Sequence, residues 1–401
     1  MKRIFAPVLI GLFLCLAASV PSVQAGGFAL YEWSNRGLAM GTTGYAQGVD
    51  ASVVATNPAL MTKLSGDRVL GGVVFISPQT TVKVNGDKNK TKANIFAVPH
   101  AYYVHQMESN DKVWFGVGMF TRFGLGTEYD KNWIAKAGLQ YVDLESTSVT
   151  PTMAFKFTDN FSMAIGVEAL RGSIKLQKTV PFGGDKIVSA STEGYAVGGN
   201  VALHYDFSDQ WSAGLIWRAP MKINTTGSGQ YDLGGTSTTS DQHIKATLPG
   251  SYTLGVAYQP NEDWTFEFDI VHTRWDSVDS MDYSGVINTS DNLYYKNTWR
   301  FQLGAEYHVT DWMSLRGGYV YDQTPTRAGH ASFMLPANDR RLFSGGLGFN
   351  WDNWTVDIAG MYITTKERKG VGIPNPVGPA WNVEFVNGTT WASGVSVGYT
   401  F

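Results

Sequence analysis

The 401-residue chain has very little cysteine, no long apolar run beyond its first segment, and no excess of positive charge. Cys15 is the one cysteine, and it lies inside an N-terminal stretch that reads as a cleavable leader. Lys2 and Arg3 form a positive start, an apolar run follows from Ile4 to Val20, and Val23-Gln24-Ala25 supplies small residues for cleavage. The reading is therefore a signal peptide over residues 1–25 and a mature chain from Gly26. Leu14 stands where a lipoprotein site needs a small residue, so lipidation at Cys15 is not expected. A mature chain without cysteine has no disulfide and no thiol chemistry. No later segment offers the 18 or so consecutive apolar residues of a membrane-crossing helix. Removing Lys2 and Arg3 takes the 31 basic residues to 29 against 34 acidic ones, a balance that excludes a nucleic-acid partner.

What is abundant points to another way of crossing a membrane. The chain carries 13 Trp, 19 Tyr, 21 Phe and 45 Gly, the material of aromatic girdles and of a crowded lumen. The C-terminus alternates: Val395, Val397, Tyr399 and Phe401 share one face, and Gly394, Ser396, Gly398 and Thr400 the other. A closing strand ending in Phe401 resembles the signal by which barrel-assembly machinery recognises outer-membrane proteins.

Turn signals recur at Asp111, Asp159, Asp209, Asp263, Asp311 and Asp352, about 50 residues apart, each followed closely by an aromatic residue. Six short turns joining strands in pairs give twelve strands. One strand before the first turn, starting near Arg68, and one after the last make fourteen. The expected fold is all-β: a 14-stranded antiparallel transmembrane barrel over residues 68–401, both ends periplasmic, with extracellular loops longer than the turns. Strand parity agrees. Phe161, Met163, Ile165 and Val167 alternate with Ser162, Ala164, Gly166 and Glu168. Charges, including Arg300, Glu306 and Arg316, recur on the second face only, as in a mutually paired lumen network.

Residues 26–67 do not read as a strand. They hold Phe28, Leu30, Tyr31, Trp33, Leu38 and Met40, too apolar for a disordered tail. They are expected to fold into the lumen as a hatch, with Asn57, Pro58 and Ala59 in a fixed turn. Gly116, Gly118, Gly124 and Gly126 crowd the third strand. An inward bend there would open a slot in the wall at Phe123 and Gly124; the bland alternative is that the glycines relieve crowding against the hatch. The segment 127–144 can be read either as a helical loop with an apolar face or as simple loop packing.

These residues resemble the FadL family of outer-membrane transporters for long-chain fatty acids and related hydrophobic compounds. Gly27-Phe28-Ala29-Leu30, Arg36-Gly37-Leu38 and Asn57-Pro58-Ala59 look like the family's hatch. Residues 123–129 look like its third strand, 296–304 like a later one, and the likeness runs in order to the terminal Tyr399-Thr400-Phe401. The resemblance implies passive transport without cofactor, metal or catalysis. A hydrophobic molecule meets the extracellular loops, enters an apolar pocket with basic groups, and leaves sideways through a gap at Phe123 and Gly124. It also implies that Phe28, Lys178 and Lys296 contact substrate. Parity sets Lys178 and Lys296 on inward faces, although both could be solvated loop lysines. The expected partners are long-chain fatty acids, outer-membrane lipids and lipopolysaccharide, and the assembly machinery at Phe401, with the protein a monomer. The alternative within the family is uptake of aromatic or other neutral hydrocarbons, which need no cation.

Overall fold

The computed structural model describes residues 27–181, 185–233 and 236–401. The expected leader, with Gly26, lies outside the described residues.

Fourteen strands form the wall. They are β1 (Arg68–Val84), β2 (Phe96–Gln106), β3 (Val113–Phe120, resumed at Leu125–Glu128), β4 (Tyr141–Lys156), β5 (Phe161–Pro181), β6 (Asp185–Asp206) and β7 (Trp211–Arg218, resumed at Met221–Leu233). Then come β8 (Thr236–Leu248, resumed at Ser251–Tyr258), β9 (Trp264–Thr273, resumed at Ser280–Gly285), β10 (Thr298–Thr310), β11 (Met313–Asp322), β12 (Arg340–Trp351), β13 (Trp354–Thr365, then Arg368–Ile373) and β14 (Trp381–Thr400). Each pairs antiparallel with its sequence neighbour, and β14 closes on β1 in a ladder from Arg68↔Thr400 to Val84↔Val383. Closure removes the sheet edges that lipid cannot satisfy.

The period of two sorts the side chains. On β5, Ser162, Ala164, Glu168 and Leu170 are buried toward the lumen while Ile165 and Val167 are exposed. The six Asp-marked turns all lie at the end where Phe401 N donates to Asp67 O (2.9 Å), so both chain ends share the periplasmic side. The tightest is Asp352-Asn353. Trp351 and Trp354 pair directly across it, and Asp352 adopts φ 50°, which Asp tolerates. Aromatic pairs such as Trp211–Tyr258 (4.4 Å) and Trp354–Tyr399 (4.7 Å) belt this rim.

Extracellular loops such as 129–140 and 323–339 are longer than the turns, as expected, and long strands add to them. β5 and β6 run 21 and 22 residues, well past the roughly 10 residues that cross a bilayer, and pair up to Pro181↔Asp185. On this side the strands themselves carry the extracellular height. Of the two readings of segment 127–144, the structure shows loop packing and no helix. Between the end of β3 and the start of β4 it is turn, and its apolar residues pack. Tyr129 stacks on Trp133 at 3.9 Å, Trp133 meets Phe333 edge-on at 4.9 Å, and Phe333 meets Trp381 at 5.4 Å.

Residues 27–64 fill the lumen. A short helix, α1 (Asn35–Ala39), is capped by Ser34, whose Oγ accepts from Gly37 N at 3.0 Å. Asn57 caps the 3₁₀ turn Pro58–Lys63: its Oδ1 accepts from Ala59 N (3.1 Å) and its Nδ2 donates to Tyr45 O (2.7 Å) and Leu203 O of β6 (3.0 Å). One side chain thus ties two parts of the plug to the wall. Glu267 of β9 does the converse, its Oε1 accepting from three successive amides, Gly44 (3.1 Å), Tyr45 (2.6 Å) and Ala46 (2.7 Å). Arg36 bridges to Glu306 at 2.9 Å; Arg316 holds Glu306 and Asp357; Arg300 and Arg340 share Asp322. These inward charges are paired with one another and with the plug, which is how a charge survives burial.

Gly116 and Gly118 lie in the regularly paired part of β3, where Gly116 makes room for the plug and Gly118 for Tyr102 of β2 and the plug together. A Cβ at Gly116 would stand 2.5 Å from Met61 Sδ, and one at Gly118 2.9 Å from the Tyr102 ring and 3.1 Å from Val54 Cγ1. Deleting residues 27–64 strips the lumen of its filling and leaves Glu267 and Glu306 to water, while the wall ladders stay intact. The deletion variant is expected to keep the heat-modifiable electrophoretic mobility of a folded barrel and to conduct small ions far better in planar bilayers. Unchanged conductance would contradict the plug.

Candidate functional site

Between β2 and β3 the wall's ladder stops short and does not resume. β2 and β3 pair from Gln106↔Trp114 only as far as Ala101↔Met119, although β2 continues up to Phe96 on its other neighbour, β1. The next contact is Lys92 N to Glu128 O (2.8 Å), which bridges the top. Between these points lies a gap bordered by Phe96–His100 on one side and by residues 121–124 on the other.

Residues 121–124 leave the β3 ladder and turn inward. From Phe120↔Ser148 to Leu125↔Leu144 the strand advances five residues against four on β4, so it carries one extra residue. Five of the groups this frees are taken up. Trp33 Nε1 donates to Thr121 O (2.9 Å), Leu30 N to Arg122 O (2.8 Å), and Gly124 N to Phe28 O (2.8 Å). Phe123 exchanges both backbone groups with Ser146 Oγ (3.1 and 2.7 Å). The start of the plug, bridged Ala29↔Phe123, thus takes the place of the missing partner strand. Arg122 is buried against Glu168 (2.6 Å), which also accepts from Ser148 Oγ (2.6 Å).

Behind the gap lies a closed apolar cleft. Phe28 packs 6.0 Å from Phe123 and edge-on to Trp275 at 4.8 Å. Leu144, Leu170, Ile174, Ile223, Leu248, Val278 and Met281 complete the lining, with Ser146, Ser173 and Glu145 as its polar members. The free volume is about 20 Å³, room for one water. Phe28 is held in place by its neighbour. Gly27 sits at φ 74°, and a Cβ there would stand 2.2 Å from the Trp275 ring. Above, the stack Tyr129–Trp133–Phe333 roofs the lumen. Tyr129 OH donates to Phe333 O at 2.9 Å, and burial pushes its hydroxyl well above the ordinary range, so it remains a neutral donor.

The residues singled out in the sequence fall in three places. Phe28, Phe123 and Gly124 come together at the cleft and gap. Asn57, Pro58 and Ala59 lie on the periplasmic side of the plug, away from it. Lys178 is on the inward face of β5, half-buried, four residues beyond Ile174 and near Asp291, whose carboxylate feels its charge. Lys296 does not share the inward face of Arg300 and Gln302. It precedes β10 in an exposed extracellular loop, because the strand's alternation does not extend below Thr298. Neither lysine lines the apolar cleft. Trp275, Trp33 and Ser146 escape a reading of single strands. Their roles arise from partners 247, 88 and 23 residues away in the chain (Phe28, Thr121 and Phe123), and no local pattern marks them.

At the periplasmic end a second cleft of about 580 Å³ separates the plug from the turns. Its lining includes Gln47, Lys63, Arg68, Asp159, Asp206 and Asp209, and it is polar.

A closed barrel, filled by its own N-terminal segment and breached beside an apolar cleft, defines an outer-membrane protein that handles hydrophobic molecules. The chain belongs to the family described as outer membrane protein transport protein (OMPP1/FadL/TodX), which matches residues 15–401. It is 23% identical to the long-chain fatty acid transport protein of Escherichia coli O6:H1 over 97% of this chain and 98% of that one. It is 27% identical to outer membrane protein P1 of Haemophilus influenzae, covering 92% and 91%. Among solved structures, a Pseudomonas aeruginosa FadL homologue superposes with a TM-score of 0.85 at 18% identity, covering 94% of this chain and all of that one. The Pseudomonas putida toluene transporter TodX gives 0.74 at 18% identity, covering 93% and 99%. The protein is thus an outer-membrane β-barrel transporter of hydrophobic compounds in a Gram-negative bacterium.

The cleft is closed chiefly by Phe28. The variant Phe28→Ala is expected to bind an environment-sensitive apolar dye several-fold more tightly than the parent, because its cavity is dry and lined by hydrocarbon. Fluorescence titration of the folded protein checks this; equal or weaker binding would show that Phe28 is not what closes the cleft.

Proposed function

We propose that this protein takes up long-chain fatty acids at the cell surface and releases them sideways, through the gap between β2 and β3 beside Phe123 and Gly124. The observation that carries the reading is the gap itself. It opens from an apolar cleft toward the hydrocarbon of the membrane, where each CH₂ kept out of water is worth about 0.8 kcal/mol. The periplasmic route offers the opposite: the plug is bonded to the wall on several sides, and the cleft beneath it is polar. Movement down a gradient into lipid needs no energy source.

The choice of an acyl chain over a small hydrocarbon rests on Lys178. Four residues of strand put it about 13 Å above Ile174 in the cleft wall. A carboxylate at Lys178 and a long tail in the cleft fit one extended molecule, and a single aromatic ring does not span that distance. Phe28 then contacts the tail, and Lys296 acts in first capture at the surface. The second reading, a neutral aromatic substrate, draws on the cleft's own lining, which holds the carboxylate of Glu145 and no cation.

Two measurements test this. Replacing Lys178→Met is expected to weaken binding of a fluorescent fatty acid by about tenfold, the value of a charged hydrogen bond near 1.5 kcal/mol, and to leave binding of a neutral alkyl dye unchanged. Equal losses for both ligands would favour the neutral-substrate reading. For the exit, the mature chain offers a background free of cysteine. Cysteines at Ala97 and Gly124, joined by a short reducible bis-thiol linker, are expected to stop fatty-acid uptake in cells while the barrel stays folded, and reduction should restore it. Normal uptake through the cross-linked protein would route the substrate through the plug instead.

A further inference from the structure

The inward turn of β3 explains one edge of the gap. It does not explain why β2, a free strand edge facing lipid, stays apart. We propose that Pro99 is the positioning residue of that second edge: it withholds the first amide above the Ala101↔Met119 pair, the one from which β2 would continue to zip onto β3.

The hydrogen-bond register fixes which way that amide would point. Met107 N donates to Val113 O of β3 at 3.0 Å, and backbone groups along a strand alternate sides. The odd-numbered groups of β2 therefore face β3, through His105, Tyr103 and Ala101 to position 99. The other side of the strand agrees. Phe401 N of β14 donates to Asp67 O, so the odd groups of β1 face β14 and its even groups face β2. The pair Val73↔Pro99 is accordingly one that needs no amide from position 99, and the β1–β2 ladder passes the proline without a shift.

The last β2–β3 pair is Ala101↔Met119. In an unbroken ladder the next amide to bond would be that of position 99, to Thr121. Proline has none. The Thr121 carbonyl that would have received it points instead at Trp33 Nε1 of the plug. Prolines inside sheets are confined to places where the missing donor faces no partner. Pro151 of β4 obeys the same rule elsewhere: Lys156 N donates to Lys112 O, so even groups of β4 face β3 and position 151 faces β5, where pairing lapses between Val149↔Ala169 and Thr152↔Gly166.

The chemistry of the site makes the choice of residue consequential. An amide exposed at a gap toward hydrocarbon has no water to bond and must find a protein acceptor. The neighbouring acceptors are the carbonyls of β3. Any other residue at position 99 would thus draw β2 and β3 together and narrow the opening from its lower end. Proline removes the donor nearest the end of the ladder, and with it the pull at that point. Its side chain, on the outward face, fills no part of the lumen.

The inference rests on the lateral-exit reading for its effect on transport, and its structural half can be read without any substrate. The variants Pro99→Ala and Pro99→Val, with Pro151→Ala as control, are reconstituted in lipid nanodiscs for NMR and expressed in cells for uptake of a fluorescent long-chain fatty acid. Cross-strand nuclear Overhauser effects between residues 99 and 121 are expected in both Pro99 variants, together with a several-fold fall in uptake. Pro151→Ala should change neither. Absence of the 99–121 contact in both variants, or its presence with unchanged uptake, overturns the proposal. If the parent protein takes up no fatty acid, the transport reading fails on its own, and the 99–121 contact still decides whether Pro99 holds the strands apart. Two substitutions of different size keep the test valid should one of them fail to assemble.

Discussion

A backbone amide or carbonyl in hydrocarbon must be paired inside the protein, and everything about this molecule's wall follows from that. Most strand junctions solve the requirement by ladders, and where these lapse, as between β6 and β7 beyond Asn200↔Arg218 or β8 and β9 beyond Ser251↔Thr273, the pairing resumes higher up. The junction between β2 and β3 leaves a row of groups without a neighbouring strand. The plug solves it from within, with Phe28, Leu30 and Trp33 bonding Gly124, Arg122 and Thr121. The gap and the plug are therefore one construction. Neither could persist unchanged without the other, because loss of the plug's first residues orphans the turned-in part of β3.

The plug must itself be held, and its anchors are polar where the cleft is apolar. Glu267 gathers three amides, Asn57 joins two plug segments to β6, and Arg36 enters the Glu306–Arg316–Asp357 chain. Removing one partner from such a buried set leaves an uncompensated group, which costs far more than the pair is worth intact. The division of labour is spatial. Charges secure the plug against β6–β13, and hydrocarbon with aromatic edges lines the face toward β3–β5 and β7–β9. Substrate can part the second kind of contact, because non-directional packing reforms readily around a guest, without disturbing the first.

Local features of the fold were legible in the sequence. Alternation at Phe161–Glu168 gave the correct inward face, the Asp-aromatic turns gave the strand count, and Arg68 marked the first strand. These signals depend on neighbours in sequence. The site was half legible. Phe28, Phe123 and Gly124, picked out separately, lie together at the cleft; Gly116 and Gly118 pack against the plug and the wall, and Lys296 leaves the face that its parity suggested once the strand ends. Trp275 and Glu267 gained their roles only from partners more than two hundred residues away. Pro99 is a visible interruption in a regular strand, but its meaning depends on which neighbour its missing amide would face, and that requires the register of three strands.

The central claim is that substrate leaves through the wall between β2 and β3. Photolabelling with a long-chain fatty acid carrying a diazirine at its tail, in whole cells during uptake, reads the path directly. Mass spectrometry of the labelled protein should find the modification within residues 96–101 and 119–125, at the two edges of the gap. Labels concentrated instead in residues 45–64 and at the periplasmic turns, with the gap edges clean, would place the route through the plug and contradict the account.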